Sequence, residues 1–138
     1  MRVLVTEKAI GADEVIATLD RKIHGAVTTF LGTVRLHSEG RTVRYLEYEA
    51  FPEMAESKLR EIAEEMKGRE GIEDVSIYHR IGRLGIGEAS LVVAVASLHR
   101  RPGFAACLDT VERIKEIVPI WKKEVWAEGE EWVRSAGA

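Results

Sequence analysis

The run "ASLVVAVASL", residues 89 to 98, constrains this chain more than any other stretch. It carries no charge, and Leu91, Val92, Val93 and Val95 crowd it with branched apolar side chains. A run with no polar face to turn toward water reads as the central strand of a sheet. With 46% hydrophobic and 31% charged residues, the chain has the material to bury such a strand and still present a polar exterior. Its 138 residues are expected to form one domain, 1–138.

The remaining elements read in order around that strand. "RVLVTE" is a short strand and "GADEVIATLDRK" a helix, with Asp13 near its start and Val15, Ile16 and Leu19 on one side. "GAVTTFLGTVR", residues 25 to 35, is rich in β-branched and aromatic residues and reads as a long strand. The polar "LHSEGRT" loops to "VRYLEYEAF", where Leu46, Tyr48 and Ala50 alternate with Tyr45, Glu47 and Glu49. These two strands are expected to pair. Pro52 opens a helix through about Lys67, with Met54, Ala55, Leu59, Ile62, Ala63 and Met66 as its buried stripe. "DVSIYHRIG" has strand period, and "LGIGE" is a glycine-rich turn. Pro102 starts the last long helix and Pro119 ends it; "IWKKEVW" and "WVRS" then flank "AEGEE" as a hairpin. The alternation gives an α/β (α+β) domain with a mostly antiparallel sheet and flanking helices.

A net charge of −3 gives no general attraction to a phosphate backbone. Neither a phosphate-loop glycine pattern nor a paired aromatic platform is visible, so no nucleic acid is expected as a partner. Small anions fit better. The N-terminal apolar run ends at Thr6, too short for a signal-peptide core or a membrane span, and the expected location is the cytoplasm. Cys107 is the one cysteine, which rules out an internal disulfide and a cysteine-based metal cage, and a small buried role suits it. His24, His37 and His79 lack metal-ligand spacing, so no metal is expected, and His79 reads as a hydrogen-bonded core histidine.

Chemistry concentrates in four places. On the last helix, Leu108, Val111, Lys115 and Val118 follow one apolar stripe, which puts Lys115 where a leucine would be expected. Its stem either snorkels along apolar surface, or its amine is partly desolvated and its pKa lowered. In "SLHRRPGF" a strand end delivers His99, Arg100 and Arg101 to a helix start, which reads as a phosphate site or as a solvated basic loop. Arg35 closes an apolar strand, as an anion ligand or a structural ion pair. After Pro119, strand period gives Lys122 and Trp126 one face and Trp121, Lys123 and Val125 the other, so only one lysine of the pair faces a given pocket. Glu47 and Glu49 share a face as a carboxylate pair or, on base rates, as a solvated sheet surface. Pro102 and Lys115 stand 13 residues apart, about 20 Å along a helix. His99 and Lys115 of one chain can therefore hardly share a small ligand: either there are two anion sites or, the arrangement favoured, a dimer mate brings His99 and Arg100 to Lys115 and Lys122 in a composite site.

These segments resemble a known family. "GAVTTFLGTVR", "LEYEAF", "IYHRIGRLGIGE", "VAVASLHR" and "IKEIVPIWKKE" with "GEEW" are similar, in unbroken order from about Gly25 to Val133, to the large, catalytic subunits of molybdopterin synthase. The resemblance implies an α/β hammerhead fold and a sulfurtransferase of molybdenum cofactor biosynthesis. The implied substrate is cyclic pyranopterin monophosphate, with no cofactor on this chain. The implied partner is a small ubiquitin-like sulfur carrier with a C-terminal glycine thiocarboxylate, bound to a central homodimer in a heterotetramer. By position, Thr33, Val34 and Arg35 in "GTVR" and His99 and Arg100 in "SLHR" match substrate-binding residues. Lys115 and Lys122 match the catalytic lysines, which also touch substrate, and Lys123 and Glu124 match pocket lining, although Lys123 is expected to face away. Leu36 and the Pro102-Gly103 pair depart from the family pattern. The competing reading is a non-catalytic, dimeric anion- or partner-binding module.

Overall fold

The computed structural model describes residues 1–20, 22–127 and 129–134. In chain order its elements are β1 (Val3–Thr6), α1 (Ala12–Ile16), β2 (Ala26–Thr33), β3 (His37–Ser38), β4 (Arg41–Ala50), α2 (Pro52–Lys67), β5 (Ile72–Arg80), β6 (Gly82–Gly85), β7 (Ala89–Ser97), α3 (Arg100–Ile117), β8 (Ile120–Trp126) and β9 (Gly129–Arg134).

The uncharged run forms β7, buried from Ser90 through Ser97, in a sheet ordered β1-β5-β7-β2. Its two faces go to different places. Leu91, Val93 and Val95 join a large core with α2, α3 and residues of the second sheet. Val92, Ala94 and Ala96 meet Val15, Leu19 and Tyr78 beneath α1 on the opposite face. The second sheet runs β3-β4-β8-β9, with β6 also on β4, and it contributes Val43, Leu46, Tyr48, Leu84 and Ile120 to the large core. β1 pairs with β5 in parallel and the other paired strands are antiparallel. The expected α/β (α+β) class with a mostly antiparallel sheet is the one found.

Several local expectations are corrected. The strands at 25–35 and 43–51 do not pair with each other: β2 pairs with β7, and β4 with β6 and β8. The β2–β7 contact runs on past Thr33, the Val34 N–H donating to the Glu88 carbonyl at 3.0 Å while its carbonyl accepts the Gly87 N–H at 2.9 Å. Beyond Val34 the chain crosses to the second sheet, which it enters at β3. Arg35 therefore follows the strand instead of closing it. The supposed loop at 36–42 is mostly a tight hairpin, with Glu39 and Gly40 at positive φ forming its turn between β3 and β4. "GRLG" forms β6, and only the residues after it turn.

The first helix stops at Ile16, shorter than expected, though Leu19 is still buried; the expected end at Lys22 passes through Arg21, outside the described residues, as Ser135 also lies. α2 matches its expected span, but Met54 is 55% exposed because it lies about 100° around the helix from Ala55. α3 begins at Arg100, two residues before Pro102, which sits in the first turn where its missing N–H costs nothing. Its buried face is Ala106, Cys107, Thr110, Val111 and Ile114. Leu108 is 60% exposed, and Lys115, seven residues on and in line with it, is exposed too.

Candidate functional site

The seam between the two sheets gathers the basic residues. β8 lies antiparallel to β4 with Lys122 opposite Tyr48 and Glu124 opposite Leu46. Because side chains alternate along a strand, Lys122 and Glu124 face inward with Leu46 and Tyr48, while Lys123 faces outward with Glu47. Thr33, Arg35, Ser38, Val43, Leu46, Tyr48, Lys122 and Glu124 line one small cleft of about 40 Å³. Ser38 donates to Glu124 at 3.1 Å, and the Lys122 ammonium lies 4.0 Å from that carboxylate.

Lys122 is only 14% exposed in its side chain. Burial pushes its pKa down; Glu124 opposes the shift, but the positive charges of Arg35 and Lys115 reinforce it, and the net direction is down. Lys122 thus feels a carboxylate on its own strand, the guanidinium of Arg35 in the same cleft and, from α3, the ammonium of Lys115. Lys115 reaches this field from the rim of α3, where it also borders a groove of about 320 Å³ with Thr28, Phe30, Phe104 and Leu108. The structure therefore favours the exposed-stem reading of Lys115 within one chain, and it is Lys122 that is partly desolvated.

Lys123 is held on the outer face by Glu47 at 2.9 Å and Glu130 at 3.4 Å, with its ammonium over the Trp132 ring. Glu47 is thus an ion-pair partner on a sheet surface, and Glu49 is exposed beside it. Val34 is 3% exposed and belongs to the core, between Thr33 and Arg35 of the cleft but not itself among the residues that line it. His99 is the N-cap at the far end of α3 with Arg100 exposed beside it, about 24 Å from Lys115 along the helix. One chain does not bring these two groups together.

Tyr48 and Ser38 line the cleft without being among the site residues that the sequence points to. Alternation placed Tyr48 on the same face as Leu46, but the strand opposite it was not legible. Behind Tyr48 the His79 ring packs edge-on at 5.2 Å. His79 is a core histidine as expected, its Nδ1 2.8 Å from the Arg80 carbonyl and its pKa pushed down by burial to about 4. Among the described residues no group of three or more His, Cys, Asp or Glu side chains is placed to hold a metal ion.

A half-buried lysine beside an arginine, in a cleft at the seam of two sheets, marks a mixed α/β protein with a basic cleft. Residues 5–117 match the family model described as MoaE protein, and the chain belongs to that family. It is 46% identical over 132 residues to the molybdopterin synthase catalytic subunit of Halalkalibacterium halodurans, covering 96% of this chain and 85% of the relative. The structure of molybdopterin synthase from Staphylococcus aureus superposes with a TM-score of 0.89 at 40% identity, covering 94% of this chain and 95% of that one. A chain from a complex of subunits 1 and 2 of molybdopterin-converting factor from Helicobacter pylori shares the fold, with a TM-score of 0.75 at 18% identity over 96% of this chain and 90% of that one. Homology thus makes this an enzyme subunit, a sulfurtransferase of molybdopterin synthesis.

Proposed function

We propose that this chain is the catalytic subunit that moves sulfur from a glycine thiocarboxylate on a small ubiquitin-like carrier to cyclic pyranopterin monophosphate, with Lys122 and Lys115 at the reacting atoms. The observation that carries the reading is that Arg35 and Lys122 line one cleft, with the Lys122 pKa lowered first by burial and further by the charges of Arg35 and Lys115. A thiocarboxylate is an anion, and so is the phosphate of the pterin; cations held in place bring the two together despite their repulsion. A lysine with a lowered pKa can also give or take a proton nearer neutral pH than an ordinary one. Arg35, with Thr33 and the Val34 backbone behind it, holds substrate. Glu124 lines the cleft and balances Lys122; Lys123 braces the outer face.

His99 and Arg100 join this site from the other subunit of a homodimer. Two observations support that arrangement. The cleft of about 40 Å³ is far below the roughly 300 Å³ that small-molecule sites start from, so one chain forms only part of the site. β2 is an edge strand of its sheet, and Leu31, Phe104 and Leu108 expose apolar surface along it and α3, at 49%, 65% and 60%. As proposed, the carrier subunits bind outside this central dimer to complete a heterotetramer; the Helicobacter pylori factor, for its part, forms a complex of its subunits 1 and 2. Residues 1–138 act as one large-subunit-like domain, with a core that both sheets share. No described helix is long and apolar enough to cross a membrane, which is compatible with work in the cytoplasm. The reaction as proposed draws on no metal or cofactor bound to this chain.

The test is dithiolene formation from cyclic pyranopterin monophosphate and a thiocarboxylated carrier. Lys115→Ala and Lys122→Ala should each lower turnover by about 100-fold or more, and Arg35→Ala should weaken pterin binding. Near-normal turnover in a lysine variant removes that lysine from the mechanism. No product from the unmodified chain, with a carrier shown to bind it, favours the binding module.

A further inference from the structure

Lys122 has a carboxylate on its own strand and does not touch it. Its ammonium stands 4.0 Å from Glu124 Oε1, beyond the roughly 2.7–3.2 Å of a hydrogen bond, although both side chains are only 14% exposed. Direct contact would be the stronger arrangement for two such groups. That oxygen is already engaged, because Ser38 donates its hydroxyl proton to the same Glu124 Oε1 at 3.1 Å. Backbone geometry places Ser38. It pairs with Arg41 across a turn in which Glu39 and Gly40 have φ of 48° and 77°, and the Leu36 carbonyl accepts the Val43 N–H at 2.7 Å at the base of the hairpin. The hairpin thus presents one hydroxyl to the cleft that Arg35, Lys122 and Glu124 line.

We propose that Ser38 is a positioning residue for the sulfur-transfer site: its hydroxyl holds the Glu124 carboxylate out of contact with Lys122 and so leaves the ammonium open to an incoming anion. A lysine hydrogen-bonded to a carboxylate must break that bond before it meets a thiocarboxylate or a phosphate. At 4.0 Å the carboxylate still offsets the cost of burying the cation, since attraction between charges falls only with the first power of distance. Without the serine hydroxyl, the ammonium, about 1 Å beyond hydrogen-bond reach, becomes the best partner left for Glu124 Oε1. The groups around Lys122 are Glu124 on its own strand, Tyr48 on β4, Arg35 after β2 and Lys115 on α3. On β9, Glu131 lies opposite Glu124 and is 3.6 Å from Arg41. Of these, Glu124 is the group that Ser38 holds.

The proposal rests on the site reading above, yet its first test needs no turnover. With lysines labelled at the ε-carbon, NMR titration of Lys122 and Lys123 reads each amine's midpoint in the folded protein. Ser38→Ala should move the Lys122 midpoint up by at least about half a pH unit, because the freed carboxylate closes on the ammonium, and Ser38→Thr, which keeps a hydroxyl, should restore it. In a Glu124→Gln background Ser38→Ala should leave Lys122 where it is, and Lys123 on the outer face should not move in any variant. In the dithiolene assay Ser38→Ala should lower kcat/KM by about threefold or more, the factor that half a pH unit represents. A merely structural loss would lower stability without moving Lys122. An unchanged midpoint in the folded Ser38→Ala variant, the same shift with Glu124 replaced, or a raised midpoint with unchanged kcat/KM overturns the proposal. Failure of the unmodified chain to make dithiolene would remove the catalytic reading, and the titration would still judge the Ser38 contact.

Discussion

Lys122 and His79, on either side of Tyr48, show how burial treats two basic side chains. Lys122 keeps part of its ammonium near Glu124 and the cleft, so its charge is disfavoured but kept available to an anion. His79 has no exposed surface, no carboxylate beside it and only a carbonyl partner, so it stays neutral. Its proton balance makes a stability prediction. The unfolded chain binds a proton at His79 near pH 6.5, while the fold resists until about 4. Between those values the unfolded state holds more protons, so this contribution is fully present above pH 6.5 and is lost as pH falls toward 4. The loss is on the order of 3 kcal/mol across the whole window, at about 1.4 kcal/mol per pKa unit. Urea denaturation at pH 7 and pH 5 should show this slope in the unmodified chain and a flatter one in His79→Leu.

At the scale of elements, periodicity found the helices well and their edges poorly. α2 has the span its sequence implies, and its apolar stripe is right at Ala55, Leu59, Ile62, Ala63 and Met66 and wrong only at Met54. Leu59→Ala should therefore cost about 2–5 kcal/mol by chemical denaturation, because it opens a cavity at full burial, whereas Met54→Ala should change stability by less than about 0.5 kcal/mol. α3 explains one departure from the family pattern. A Cβ on Gly103 would lie 2.5 Å from Ser97 Oγ and 2.8 Å from Thr28 Oγ1, so the glycine lets the helix start rest directly on β7 and β2. Pro102 in turn packs over Gly71, which has positive φ. Gly103→Ala should destabilise by roughly 1–3 kcal/mol through overpacking. It should also disturb the His99 and Arg100 end of the helix before the Lys115 end, which thermal melts and pterin affinity together would detect. Leu36, the other departure, is exposed and leaves the hairpin beside it intact, its carbonyl accepting the Val43 N–H at 2.7 Å.

For the whole molecule the open matter is which chain supplies which part of the site. A composite site makes a quantitative forecast. Lys115→Ala and His99→Ala dimers should each be inactive, yet in a hybrid of the two one site carries both mutations and the other carries neither. Random reassortment would therefore restore about a quarter of normal turnover. Mixing, partial denaturation and refolding, followed by the dithiolene assay, reads that number, and no recovery would mean that His99 and Lys115 serve the same chain's site or separate ones.

The sequence by itself determined what depends on local pattern. An uncharged run became the buried strand β7, proline and apolar period set α2 and the end of α3, and the two-residue alternation along "WKKE" turned Lys122 and Lys123 to opposite faces. Five ordered segments also carried the family likeness. Tertiary structure decided everything that depends on which strands meet. The β2–β4 pairing expected from adjacency gave way to β2–β7, a contact that Val34 continues into the turn before β7. That exchange releases β4 to a second sheet, where Tyr48 comes to lie across from Lys122 and the cleft forms. Side-chain period fixes a face but not a partner, since an open strand edge offers the same hydrogen bonds to any neighbour. The choice among neighbours is made by burial and by long-range hydrogen bonds, which no short stretch of sequence contains.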